Sequence, residues 1–227
     1  MSGLAKAVLC LFGLGTALPA FAARPMITDD AGVVEAKACQ VETWWQRQRK
    51  REEFWFQPAC NFTGNLELSL GEVLVWESGQ DHSLLVQAKS LFKALADDGW
   101  GIGWAAGGLV ALNGKGADFY AYVPVSLALA QDRLLVHVNV GWQHPQLIDR
   151  HQFTWGAGWD AAVTEHAHLV AEVFGQDLDP PGYQAGVYVW VIADRLHLNA
   201  TYGGWISGSH KPWVAIGVSW FSPPFWP

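Results

Sequence analysis

The chain has 227 residues, of which 15% are charged and 51% hydrophobic, with 14 tryptophans and a formal net charge of −7. A water-facing surface favours about 25–35% charged residues, so a soluble globular domain is a poor match and lipid is the simpler solvent for the uncovered apolar side chains. The acidic balance, with no basic run longer than Arg47-Gln48-Arg49-Lys50-Arg51, argues against a nucleic-acid partner.

Residues 1–22 read as a secretory signal. Lys6 supplies the positive charge, Ala7 to Leu18 is apolar, and Ala20-Phe21-Ala22 satisfies a small-x-small rule, placing the cut before Ala23. A retained membrane helix fits less well, because the apolar run is short and broken by Gly13, Gly15 and Pro19. No later stretch offers the roughly 18 apolar residues that a spanning helix needs. Residues 23–38 show no alternation and carry the turn signal Asp29-Asp30-Ala31-Gly32. They are expected to form a periplasmic lead-in or a plug tucked into a barrel mouth.

From residue 39 onward, period-2 alternation gives about twelve segments long enough to cross a bilayer as tilted strands. They fall at 39–48, 52–61, 64–77, 81–94, 99–112, 117–130, 133–143, 151–163, 166–175, 182–192, 195–206 and 211–221. Alternate joints are tight, as at Gln131-Asp132 and Ala193-Asp194, and the others mostly longer, as at 144–150. That asymmetry predicts an all-β fold: an antiparallel up-and-down transmembrane β-barrel over 39–221, with both termini periplasmic and a tail at 222–227. The tail holds Pro223, Pro224 and Pro227 and is expected to leave the ladder, since proline cannot donate to it.

Alternation alone does not say which face is inside. A lipocalin-like barrel would bury the aliphatic face. Here the polar face is sparsely charged and rich in small residues, amides and histidine, more like a lumen wall than a solvated surface. Trp44, Trp45, Trp55, Trp76, Trp100, Trp142, Trp205, Trp213 and Trp220 fall near strand ends, where an aromatic girdle would lie. The aliphatic face is therefore expected to meet lipid. On this assignment Val138→Arg costs about 2–4 kcal/mol and Asn139→Arg little. A parity change between Leu70 and Val73 suggests a bulge near Gly71.

Cys39 and Cys60 mirror each other about a turn centred on Arg49–Lys50. As cross-strand neighbours in an oxidising compartment they are expected to form a disulfide, with free thiols as the alternative.

The stretch Arg24-Pro25-Met26-Ile27-Thr28-Asp29-Asp30-Ala31-Gly32-Val33-Val34-Glu35, followed by Gln40-Val41-Glu42, resembles the opening of a family of bacterial outer-membrane β-barrel proteins associated with the meta pathway of phenol degradation. The resemblance implies a transporter-like barrel passing small, in part aromatic, solutes, and it carries no catalytic residues.

Parity places Glu42, Glu53, Glu67, Lys89, Arg133, Asp160, Glu172 and Arg195 on the inward face, with His137, Asn139, His166, His168, His197 and Asn199. These are the expected lumen-lining residues, a mixed-sign wall suited to a narrow pore or a salt-bridged plug. His166 and His168 share a face, but tetrahedral zinc needs further ligands. No metal, cofactor or catalytic residue is assigned. A lipid-modifying enzyme would need Ser and His together; there is no G-x-S-x-G, and Ser126, His137 and His197 point away from lipid, while His151 sits at a strand mouth. The cluster Gly101-Ile-Gly103-Trp-Ala-Ala-Gly107-Gly108 lies within a strand, where it serves close backbone approach rather than a dinucleotide. The leading expectation is a narrow pore or binding barrel for small solutes, with a closed structural barrel and a lipid-modifying enzyme as alternatives. Its expected partners are outer-membrane lipids, lipopolysaccharide, the barrel-assembly machinery and an unidentified solute.

Overall fold

A computed structural model describes residues 26–114, 116–146, 149–177, 179–207 and 211–225. The signal sequence and its cleavage point lie outside the described residues, as do Arg24 and Pro25 of the lead-in motif. Twelve antiparallel strands close into one barrel: β1 (Cys39–Gln48), β2 (Arg51–Asn61), β3 (Leu66–Trp76), β4 (Gln80–Lys93), β5 (Trp100–Ala111), β6 (Ala117–Leu129), β7 (Leu134–His144), β8 (Gln152–Ala162), β9 (Ala167–Gln176), β10 (Gly182–Ile192), β11 (Leu196–Trp205) and β12 (Trp213–Phe221). Each strand pairs with its sequence neighbours, and β1 closes on β12 through Gln40↔Phe221 to Arg47↔Val214. Closure leaves no sheet edge, which a barrel in hydrocarbon requires.

The two faces follow the alternation. Leu70 is 61% exposed and Ile216 58%, whereas Lys89 is 3% and Glu172 4% exposed. Large apolar side chains thus cover the outside and polar ones are buried within, the arrangement of an outer-membrane barrel. Asp98 and Asp132 brace two terminus-side turns: Asp98 accepts from Gln131 N at 2.7 Å and Asp132 from Asp98 N at 2.8 Å. Joint lengths are less lopsided than alternation suggested. The first two joints at the far end, 49–50 and 77–79, are as short as the terminus-side ones, and only the later far-end joints, such as 145–151 and 206–212, are long.

Two further expectations are corrected. No bulge occurs at Gly71: the β3–β4 register runs unbroken from Leu66↔Ser90 to Trp76↔Gln80. A Cβ on Gly71 would stand 2.6 Å from the Phe56 carbonyl oxygen, so glycine serves close packing there. Val73 is buried within the barrel and Glu72 faces out. The register shifts that do occur lie near terminus-side strand ends, at Leu91/Lys93 and Trp190/Ile192. Second, Trp44, Trp55, Trp205 and Trp213 do not belong to the girdle. They share the parity of inward residues, and Trp44 stacks on Trp55 with centroids 5.0 Å apart. Trp76, Trp100, Trp142 and Trp220 remain outside. The ladder stops at Phe221, as the prolines of the tail implied, and the tail stays against the start of the chain. Ser222 N donates to Cys39 O at 2.8 Å and Phe225 N to Lys37 O at 3.1 Å, bridging the two prolines.

Cys39 and Cys60 are opposed in the β1–β2 register and form a disulfide with Cα atoms 4.1 Å apart. The bridge sits where the chain passes from the lead-in into β1.

Candidate functional site: the barrel interior

Lys89 is a buried cation on the inner face of β4, opposite Glu67 of β3. A buried charge is costly unless paired, and here the partners come from the lead-in. Lys89 Nζ donates to Asp29 Oδ1 at 2.8 Å and to Asp30 Oδ1 at 3.3 Å. Tyr122 donates its hydroxyl to Asp29 Oδ2 at 2.7 Å. Burial pushes the Asp30 carboxyl above its ordinary range; Lys89 opposes this and the neighbouring Asp29 adds to it.

Residues 26–34 therefore run inside the barrel, where the wall holds them by the backbone, and Glu35 to Lys37 turn through solvent before β1. Glu172 accepts from Ile27 N at 2.7 Å and Thr28 N at 2.6 Å, and Gln184 donates to the same carboxylate at 2.6 Å. Asn139, oriented by its hydrogen bonds, donates to the Asp29 carbonyl at 2.8 Å and accepts from Asp29 N at 2.7 Å. Ser126 Oγ accepts from Ala31 N at 2.7 Å, which leaves its proton for His137 Nδ1 at 2.8 Å. Glu67 Oε2 accepts from Val34 N at 2.8 Å, and Asn61 donates to Val34 O at 2.7 Å. Hydrogen bonds to charged groups are worth about 1.5–3 kcal/mol each, so this is a dense set of anchors for a short segment. Gly156 makes the room: a Cβ there would lie 2.5 Å from Thr28 Oγ1. The T-D-D-A-G motif thus consists of side chains and amides that meet the interior wall.

The remaining sequence-predicted residues divide into interior and rim. Asp160 accepts from Tyr188 at 2.6 Å and lies 2.7 Å from His168 Nδ1. His168 stacks on Tyr188, and His197 is fully buried among Tyr188, Trp190 and Phe221. Glu42 and Asn199 are buried and face inward. Glu53, at the far end, binds Arg51 at 2.7 Å and Trp55 Nε1 at 3.0 Å. Arg133 and His166 are not in the interior. Both are exposed in terminus-side turns, because β7 and β9 begin one residue later than parity alone implied. Arg195 sits at the terminus-side rim, where it donates to Ser222 O at 2.7 Å. The pairing of His166 with His168 is accordingly lost, and no cluster of three or more His, Cys, Asp or Glu suited to a metal occurs among the described residues.

Asn139 also differs in its consequence. It grips Asp29, so Asn139→Arg is not a silent change; it would displace the lead-in rather than disturb lipid contact.

Beside the lead-in lies a cavity of about 500 Å³. Met26 to Asp30 border it, with Gln57, Leu85, Gln87, Tyr120, Tyr122, Gln143, Thr154, Gln176, Trp55, Phe174 and Trp205 on its wall. Gln87 Oε1 accepts from Tyr120 at 2.8 Å, and Gln143 donates to Gln152 at 2.8 Å and Gln176 at 2.5 Å. Sequence reading missed this amide- and phenol-rich wall because it weighed charge and histidine and passed over glutamine on the same parity.

A closed twelve-stranded antiparallel barrel with an apolar exterior and a hydrogen-bonded interior is the architecture of an outer-membrane β-barrel. The fold is shared with solved porins. The KdgM porin in complex with disordered oligogalacturonate superposes with TM-score 0.64 at 10% identity, covering 80% of this chain and 98% of that one. The NanC porin gives 0.62 at 10% identity, over 80% and 98%. No curated protein matches the chain by sequence. Residues 10–220 match the family described as Uncharacterised conserved protein UCP029691, and the chain belongs to that family.

Proposed function

We propose that this protein is a narrow outer-membrane passage for small solutes, held closed by its own lead-in segment. The observation that carries the reading is the junction of two features: residues 27–34 clamped across the interior by Lys89, Glu172, Ser126 and Glu67, and a cavity beside them large enough for a small molecule. Pockets of about 300–1,000 Å³ are typical of small-ligand sites. A twelve-stranded barrel lies between the side-chain-filled eight-stranded kind and the aqueous 16–18-stranded porin, so a single chain segment suffices to close it. The likeness to porins supports such a role through the fold. The resemblance of the lead-in to the phenol-pathway family extends the candidate solutes to aromatics, for which Trp55, Phe174 and Trp205 offer faces.

The exposed turn residues Arg49 and Lys50, with Arg47 beside them, are suited to the anionic headgroups of lipopolysaccharide, and the fold needs the barrel-assembly machinery for insertion. An acyl-transfer enzyme is disfavoured by the one buried Ser–His hydrogen bond described: Ser126 Oγ already takes the Ala31 amide, and the lead-in covers it.

Planar-bilayer recording tests the reading. The full chain should be silent or nearly so, and deletion of residues 23–36 should produce channel events. Silence in both forms would favour a permanently closed structural barrel, the reading to which the packed Tyr188–His197–Phe221 cluster lends weight.

A further inference from the structure

The cavity beside the lead-in has a wall whose charges are already committed. Among the described residues bordering it, Lys89 is the single lysine or arginine, and it is bound by Asp29 and Asp30. Of the carboxylates there, Glu67 takes the Val34 amide and Asp160 takes Tyr188. An anionic solute would meet five carboxylates (Asp29, Asp30, Glu42, Glu67 and Asp160) against that one committed cation, and would leave its own charge unpaired in a confined space. A cationic solute would have to displace an existing partner from each carboxylate it used.

Uncommitted capacity lies with neutral groups. Gln57 borders the cavity without a hydrogen-bond partner among the described residues, and Gln87, also on its border, uses only its carbonyl oxygen, leaving its Nε2 protons unused. Beside these stand the rings of Trp55 and Trp205. Amides that both donate and accept, next to an aromatic face, match a solute carrying vicinal hydroxyls on one side and C–H groups on the other.

We infer that the cavity is a binding site for neutral, hydroxyl-rich solutes of mono- to disaccharide size, with Gln57 and Gln87 as polar contacts and Trp55 or Trp205 as the platform. This rests on the reading of the barrel as a solute passage and narrows it to a chemical class. It sets the expected solute apart from a polyanion such as oligogalacturonate.

The test is calorimetric titration of the purified full chain in detergent with maltose, digalacturonate and phenol, alongside solute flux into liposomes for the full chain and the form lacking residues 23–36. Saturable maltose binding, at least tenfold tighter than digalacturonate or phenol, is expected. Gln57→Leu should weaken it about tenfold while leaving the strand content by circular dichroism unchanged; Gln87→Leu, on β4, gives a second variant should the first misfold. Phenol binding tighter than maltose would overturn the inference in favour of an aromatic solute, and digalacturonate binding as tight as maltose would overturn the argument from charge. Flux without selective maltose binding would overturn the inference and leave the passage standing. Maltose binding without flux in either form would support the inference and overturn the passage.

Discussion

Two parts of the barrel interior handle polar side chains in opposite ways. In the filled part, Lys89, Glu172, Ser126 and Glu67 are spent on the lead-in, and His197, Trp190 and Phe221 pack against one another. In the open part, Gln57, Gln87, Tyr120 and Gln143 surround the cavity. Both walls carry polar side chains. What separates them is whether chain or cavity lies opposite, so the difference teaches that a lumen wall can be either a receptor for its own chain or a surface kept for a guest.

Substitutions sharpen that contrast, and the largest effect should come from the charged anchor. Lys89→Met leaves Asp29 and Asp30 buried without their cation, and removing one partner of a buried pair costs about 3–5 kcal/mol. Release of the lead-in should appear as new protease cleavage within residues 26–38; protection equal to the parent would refute the anchoring role. Next comes Val138→Arg, on the lipid face of the same barrel, which should destabilise insertion by about 2–4 kcal/mol in refolding titrations into lipid without exposing the lead-in. If both variants exposed the lead-in equally, the two faces would not be separable.

Glu172→Gln keeps the shape and removes the charge that accepts from Ile27 N and Thr28 N. A loss of about 1.5–3 kcal/mol is expected, the range for hydrogen bonds to a charged group, read as faster amide exchange at those two positions. Ser126→Ala removes one neutral acceptor and should cost about 0.5–1.5 kcal/mol. The smallest effect belongs to the cavity wall: Gln57→Leu, with no chain partner to lose, should leave stability within about 0.5 kcal/mol of the parent. A large loss there would mean the cavity wall is also structural.

The division also explains which parts were legible in advance. Strand positions agreed to within one or two residues because a barrel strand must alternate and a turn must break it, and β1 (Cys39–Gln48) and β10 (Gly182–Ile192) fell where alternation put them. The disulfide followed from register once the β1–β2 turn was centred. Misreadings came where parity was carried past a strand end, as for Arg133 and His166, or where residue type was allowed to outweigh parity. Trp44 and Trp55 were placed in the girdle by being tryptophan and near strand ends, although their alternation with Val41 and Phe54 already pointed them inward.

The amino-acid sequence by itself determined the alternation, and with it the strand number, the nearest-neighbour pairing, the predominantly apolar outer face and the meeting of Cys39 with Cys60. Those are local properties: each depends on residues two apart or on one hairpin. Only the closed barrel decided where residues 26–38 would go. Asp29 and Lys89 are sixty positions apart, Ile27 and Glu172 farther still, and nothing in a local pattern brings them together. Closure does, because it places the inner faces of β4, β6, β7 and β9 around one space too narrow for their polar groups to remain hydrated separately, and the lead-in supplies the hydrogen bonds that water otherwise would.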